Sequence, residues 1–231
     1  MRPIALESVE HSWKNNQAHT NVSFKYSIEL RQCITDRLGN FEREHLARQD
    51  LRSAAVAIVI VGGGPNSEAS VLLTRRPMHL KNHSGQFALP GGKVDDGETG
   101  PAAALRELHE ELGLDLSADH IMGLLDEYPT RSGFRILPVV MWGGDRPALE
   151  PNPKEVARVF HISLGELDDP NLCQITESDI SEHPVLSINL PSAGGSVYAP
   201  TAALLYQFRE VALREAQTRV NQFDQPRFAW K

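Results

Sequence analysis

The feature that most constrains this chain is the run GKVDDGETGPAAALRELHEELGL, residues 92–114, which sets glycines and carboxylates at fixed separations. Thr99 followed by Pro101 suits the first turn of a helix, because proline has no N–H to lose there. Ala102, Ala103, Ala104 and Leu105 supply high helix propensity. Gly113 is the expected stop. On that helix Glu107 precedes Glu110 by three residues and Glu111 by four, so the three carboxylates share a face and repel one another. A hard divalent cation such as Mg²⁺ removes the repulsion, because it takes carboxylate and phosphate oxygens together. Leu105, Leu108 and Leu112 form the core-facing stripe. Taken alone, the helix also reads as a solvated acidic surface with Arg106–Glu110 as an i,i+4 pair. Gly91-Gly92 and Glu98 lie upstream of it, and structural context decides whether they belong to one site with it.

The run fits G-x5-E-x7-R-E-U-x-E-E-x-G-U, with U apolar, at every fixed position. This pattern resembles the Nudix box, the signature of enzymes that hydrolyse a nucleoside diphosphate linked to another group. The resemblance covers residues 51–220 and implies an α/β/α sandwich with a mixed β-sheet. It implies Mg²⁺ or Mn²⁺ as cofactor, held by Glu107, Glu110 and Glu111 with a backbone carbonyl at Gly91 or Gly92. Glu98 and Arg106 are then a supporting ion pair between loop and helix. Glu107, Glu110 and Glu155 are the candidate catalytic carboxylates, with the general base open between Glu107 and Glu155. Glu155 also reads as an exposed turn residue.

A second motif lies upstream, LLTRRPMHLKNHSGQFALPGGKVD, residues 72–95. With Pro151-Asn152-Pro153-Lys154-Glu155-Val156 and Val159-Phe160, it is similar to the coenzyme A diphosphatase branch. Departures are Leu89 where Phe is usual, a box one residue shorter than is often found, and Tyr198-Ala199-Pro200-Thr201-Ala202 in place of Trp-Gly-x-Thr-Ala. Arg75, Arg76, His83 and Gln86 become candidate substrate-binding residues. His83 and Gln86 could equally hold the loop's backbone. Arg75 and Arg76 could grip phosphate, but strand alternation puts them on opposite faces, so at most one is expected at the ligand, with Arg76 favoured.

With 231 residues and 41% apolar content the chain can build one good core, and its net charge of −7 is no nucleic-acid footprint. No apolar run reaches membrane length, and the first residues lack the apolar middle of a signal peptide. Cys33 and Cys173 fit no metal or redox spacing, so a reduced cytoplasmic setting is expected. The expected partner is a small nucleotide diphosphate, with no nucleic acid and no membrane; a homodimer is left open.

The expected organisation is an N-terminal extension over 1–50, with a polar arm to residue 22 and a helix over 24–48, then a catalytic domain over 51–231. Residues 54–61, 70–75, 121–128, 134–142 and 156–162 read as strands. A short helix at 163–167 follows, then a late hairpin through 191–195 and a long amphipathic helix over 201–220. The aromatic tail is expected to pack back or touch a partner. Two classes of function compete, a metal-dependent diphosphatase and a non-catalytic nucleotide-binding sensor. Within the first, ADP-ribose, nucleotide sugars and dinucleoside polyphosphates stand beside coenzyme A.

Overall fold

Strand β1 (Arg52–Val61) is continuously apolar because both of its faces are covered. The computed structural model describes residues 24–46, 48, 50–63, 67–79, 84–177 and 181–225. The expectations for residues 1–22, for His83 and for the tail beyond Gln225 fall outside them. The remaining strands are β2 (Ser70–Arg75), β3 (Phe87–Ala88), β4 (Gly91–Lys93), β5 (Ile121–Leu124), β6 (Tyr128–Pro129), β7 (Phe134–Trp142), β8 (Arg158–Ser163), β9 (Cys173–Thr176), β10 (Val185–Leu190) and β11 (Gly195–Tyr198). Helices are α1 (Ile28–Gly39), α2 (Gly100–Leu112), α3 (Leu164–Leu167) and α4 (Thr201–Phe208).

Among the described residues β1–β8 form one mixed sheet, and β9–β11 form a small antiparallel one. β1 runs parallel to β7, from Arg52↔Phe134 to Ile60↔Trp142. β1 and β2 pair only at Ile60↔Val71 and Val61↔Ser70, then splay apart. The segment 87–93 fills the wedge: β3 pairs with β2 at Thr74 and Arg75, and β4 pairs with β1 at Ala54–Val56. The Gly-Gly turn is thus clamped between two central strands.

Alternation along β1 assigns its faces. Ala55, Ala57, Val59 and Val61 lie under α2 with Leu108 and Leu112, whereas Ile58 and Ile60 face α1 and α4. The result is the expected α/β/α sandwich. α1 supplies Leu30, Ile34 and Leu38 to the same core as the sheet.

Four elements differ from expectation. α1 is shorter than residues 24–48. Ser27 caps it by accepting from the Leu30 N–H, and before it Lys25 bridges Glu68 and Tyr26 stacks on Trp142 at 4.2 Å. After it, the Glu44 and Leu46 N–H groups donate to Asp126 and Glu127, which keeps the chain out of helix. The strand expected over 121–128 divides into β5 and β6. The C-terminal helix passes from α4 into a π-helical turn over Arg209–Leu213 and stops short of residue 220. Arg37 Nη1 donates to the Ala212 and Leu213 carbonyls, and Glu215 adopts a φ of 58°, which no helix continues. β9 was not anticipated. Both cysteines are free thiols, and among the described residues no helix is long and apolar enough to cross a membrane.

Candidate functional site

Thr99 accepts from the Ala102 N–H and Gly113 stands in the left-handed conformation, so α2 begins and ends where its sequence signals lie. Its buried stripe is Ala103, Ala104, Leu108 and Leu112, and Glu111 lies within it, only 4% exposed. Leu105 is half-buried at the edge. Glu107 is half-buried one turn back, and Glu110 is exposed.

Arg106 organises the outer part of this face. Its Nε and Nη2 donate to the two Glu98 oxygens at 3.0 and 3.1 Å, and Nη2 also reaches the Lys93 carbonyl at 3.0 Å. Its Nη1 donates to Glu107 Oε1 at 2.9 Å and Glu110 Oε2 at 3.3 Å. The expected Glu98–Arg106 pair and the i,i+4 pair therefore coexist. The guanidinium holds the Glu98 carboxyl below the usual range. Glu98 Oε2 also accepts the Asp95 N–H at 3.0 Å, which closes the loop before the helix.

The inner part is different. Glu111 Oε1 accepts only a long bond, 3.4 Å, from the Gly91 N–H. Burial drives its pKa up to about 8, and the nearby Glu107 and Glu155 carboxylates add to the rise, against the Gly91 N–H and Arg76. Glu107 is also pushed up, first by burial, with Arg106 opposing and Glu110 and Glu155 adding. A Cβ on Gly91 would stand 2.3 Å from the Ala55 carbonyl, so that position has no room for a side chain, and one on Gly92 would stand 2.3 Å from Glu107 Oε1 and displace that carboxylate.

Glu155 joins from the turn before β8. The Asn152 N–H donates to the Glu111 carbonyl at 2.9 Å, which ties that turn to the end of α2, and Asn152 Nδ2 donates to Glu155 Oε1 at 3.3 Å. Glu155 is half-buried, not an exposed turn residue. Among the described residues no three His, Cys, Asp or Glu side chains stand converged in metal-ligand geometry. Arg106 holds Glu107 and Glu110 outward while Glu111 points inward. The chemistry of this donor set nonetheless fits a hard cation: a buried, under-bonded carboxylate crowded by like charges is relieved by one.

A cavity of about 590 Å³ lies on the sheet face toward α4, across the Gly91-Gly92 segment from the α2 carboxylates, none of which lines it. Gly91, Gly92 and Arg76 line one end, and Phe87, Ile136 and Leu204 belong to its apolar wall. Arg76 is partly buried, and its Nε is a buried donor with no partner among the described residues. Gln86 lines the same cavity, and its carbonyl accepts the Arg76 N–H at 2.9 Å. Arg75 is exposed, with Nε donating to the Gly85 carbonyl at 3.1 Å. The two arginines differ in surroundings: Arg76, just past the end of β2, lines the cavity, and Arg75 does not. Lys93 also lines the cavity and was not singled out in the sequence; its place follows from the β1–β4 pairing.

Residues 51–182 match the model of the NUDIX domain. A protein of Yersinia enterocolitica described as an uncharacterized Nudix hydrolase NudL is 42% identical over 114 residues, 49% of this chain and 57% of that protein. A Yersinia pestis protein of the same description is 42% identical over 119 residues, 50% of this chain and 57% of its own length. The match thus spans a little over half the length of these curated relatives. Among solved structures, a MutT/nudix family protein from Enterococcus faecalis aligns with 90% of this chain and 74% of its own, at 14% identity and a TM-score of 0.44. A MutT protein from Methanosarcina mazei Go1 aligns with 55% of this chain and 83% of its own, at 22% identity and a TM-score of 0.40. The domain match covers more than half of the chain, and on it the chain belongs to the Nudix domain family.

Proposed function

We propose that this protein is a divalent-metal-dependent hydrolase of a nucleoside diphosphate linked to another moiety, with coenzyme A or its acyl thioesters as the preferred substrate. The observation that carries the reading is Glu111, a buried carboxylate with like charges around it and one long hydrogen bond, from the N–H of Gly91, which with Arg76 lines the cavity. Perturbed acids beside a cavity are what phosphoryl chemistry at neutral pH requires.

Water attacks one phosphorus of the diphosphate and two phosphate monoesters leave. Mg²⁺ or Mn²⁺, when bound, supplies neutralisation of the diphosphate charge. Glu107, Glu110 and Glu111 would hold the ion with the Gly92 carbonyl, Glu110 swinging in from its Arg106 contact. Arg76 binds a phosphoryl oxygen through its planar fork. Gln86 positions the loop that carries Arg76, and Glu98 with Arg106 holds the Gly92 loop against α2. Glu155 is the best-placed general base. Its turn is tied to Glu111 and its Oε1 is oriented by Asn152 Nδ2, so Oε2 takes the proton. Residues 51–231 carry this site; the 1–50 extension contributes α1 to the core. A reduced cytoplasmic setting suits the two separate thiols.

The substrate assignment rests on similarity of the 72–95 and 151–160 segments to the coenzyme A branch. It is tested by kcat/KM for coenzyme A, dephospho-coenzyme A, ADP-ribose and a nucleotide sugar with Mg²⁺. A tenfold preference for either of the last two sinks coenzyme A and keeps the diphosphatase. Tight binding without turnover of any would make the protein a sensor. EDTA is expected to stop hydrolysis and leave the circular dichroism spectrum unchanged, because Leu108 and Leu112 pack α2 without help from a metal. Joint loss of signal and activity would make the ion structural.

A further inference from the structure

Arg75 and Arg158 stand directly opposite each other in the β2–β8 ladder. Like charges so placed are unfavourable across antiparallel strands. Neither forms an ion pair with another described residue, although the chain carries 30 Asp and Glu against 23 Lys and Arg. Both guanidinium groups are held on aromatic rings. Arg158 lies 4.7 Å from the centre of Phe160 and Arg75 5.8 Å from that of Phe87. Those two rings meet edge to face at 5.4 Å, so the two cations share one rigid platform. The Arg75 Nε bond to the Gly85 carbonyl restrains the exposed guanidinium.

The platform adjoins the cavity through one of its rings. Phe87 is part of the cavity wall, and it opposes Arg75 in the β2–β3 pairing. Gly91 is four positions beyond Phe87, at most about 14 Å along an extended chain. An anion on the arginine pair and a diphosphate at Gly91 and Arg76 are therefore within reach of one small molecule.

We propose that Arg75 and Arg158 form a second anion site, which takes a phosphate monoester carried on the substrate away from the scissile diphosphate. Two planar forks facing one side suit the several oxygens of a phosphate dianion, and the anion removes the repulsion between them. The identity of the molecule that carries this phosphate rests on the diphosphatase reading; the site itself does not. Arg158 thereby becomes a specificity residue for substrates with a third phosphate.

Binding of 3′,5′-ADP, 5′-AMP and inorganic phosphate by calorimetry tests this without turnover. Wild-type protein is expected to bind 3′,5′-ADP about tenfold tighter than 5′-AMP, as a charge-assisted contact allows. Arg158→Gln, and Arg75→Gln with Arg158→Gln, should bring that ratio close to one, while Arg158→Lys keeps part of it. A wild-type ratio near one, or a ratio that survives in the double variant with an unchanged circular dichroism spectrum, overturns the site. Inorganic phosphate binding as tightly as 3′,5′-ADP would make it a site for free phosphate and overturn the substrate assignment. In turnover, Arg158→Gln should lower the ratio of kcat/KM for coenzyme A over dephospho-coenzyme A about tenfold. If no diphosphate is hydrolysed at all, the diphosphatase reading fails and the binding ratios still decide this one.

Discussion

Two buried carboxyl groups on opposite sides of the sheet stand in unlike surroundings. Asp126 is 6% exposed, and Glu111 is 4% exposed. Asp126 receives the Glu44 N–H at 2.7 Å, Gln207 Nε2 at 2.7 Å and Arg219 Nη1 at 3.0 Å. The fully buried Gln207 returns the favour by accepting the Asp126 N–H at 3.2 Å, and Arg219 also lies 4.6 Å from the Phe41 ring centre. That acid fastens three stretches of chain, the connector after α1, the β5–β6 turn and the segment after α4. Glu111 has the opposite balance: one long N–H contact, an arginine at a distance and two carboxylates nearby. Burial alone therefore does not mark a functional acid. A satisfied buried acid holds the fold together, and an under-satisfied one is poised for a ligand that completes its shell.

Substituting each acid in turn is the sharpest way to break the comparison. Glu111→Gln keeps shape and removes charge, and turnover is expected to fall by about 10²–10³, the loss typical of one electrostatic stabiliser. Its thermal stability without metal should not fall. A purified variant with wild-type kcat at saturating substrate and Mg²⁺ would place the metal ligands elsewhere.

Asp126→Ala should do the reverse. It leaves Gln207 and the partly buried Arg219 short of an acceptor and is expected to lower stability by about 2–4 kcal/mol in urea unfolding. The kcat of the fraction that remains folded should stay near wild type. A loss under 1 kcal/mol would mean that water replaces the carboxylate without penalty.

The smallest effect is the pH dependence that Glu111 brings. The Glu111 carboxyl sits at about 8 in the fold against an ordinary 4.5. Between those values the unfolded chain has released the proton and the folded chain still holds it, so stability falls as pH rises through this window. Each pH unit corresponds to about 1.4 kcal/mol at most, and relaxation around the site should leave on the order of 2 kcal/mol over the window. Unfolding of the EDTA-treated protein at several pH values should show this slope, and Glu111→Gln should flatten it. A slope that persists in the variant would belong to other groups.

Much of the site was legible because its determinants are local in sequence. Thr99, Pro101 and Gly113 bound α2, and the three- and four-residue spacing of Glu107, Glu110 and Glu111 needs only helical periodicity to be read. Strands β1, β2 and β7 were equally plain as apolar, β-branched runs. By contrast, α1 and the C-terminal helix stop early because of partners far along the chain, Glu68 and Asp126 for the flanks of α1 and Arg37 for the residues after α4. No local pattern announces those contacts.

The amino-acid sequence by itself determined the carboxylate helix, its caps and the alternation of the central strands, since each depends on propensity and spacing within a dozen residues. Only the tertiary structure decided that Glu111 is buried while Glu110 is exposed, and that segment 87–93 fills the wedge between β1 and β2. The same holds for Glu155, brought to α2 by a turn more than forty positions away, and for Arg158, set opposite Arg75. The physical reason is that burial, charge crowding and cross-strand pairing are properties of neighbours in space. Those neighbours are chosen by the packing of whole faces, which no window of sequence contains.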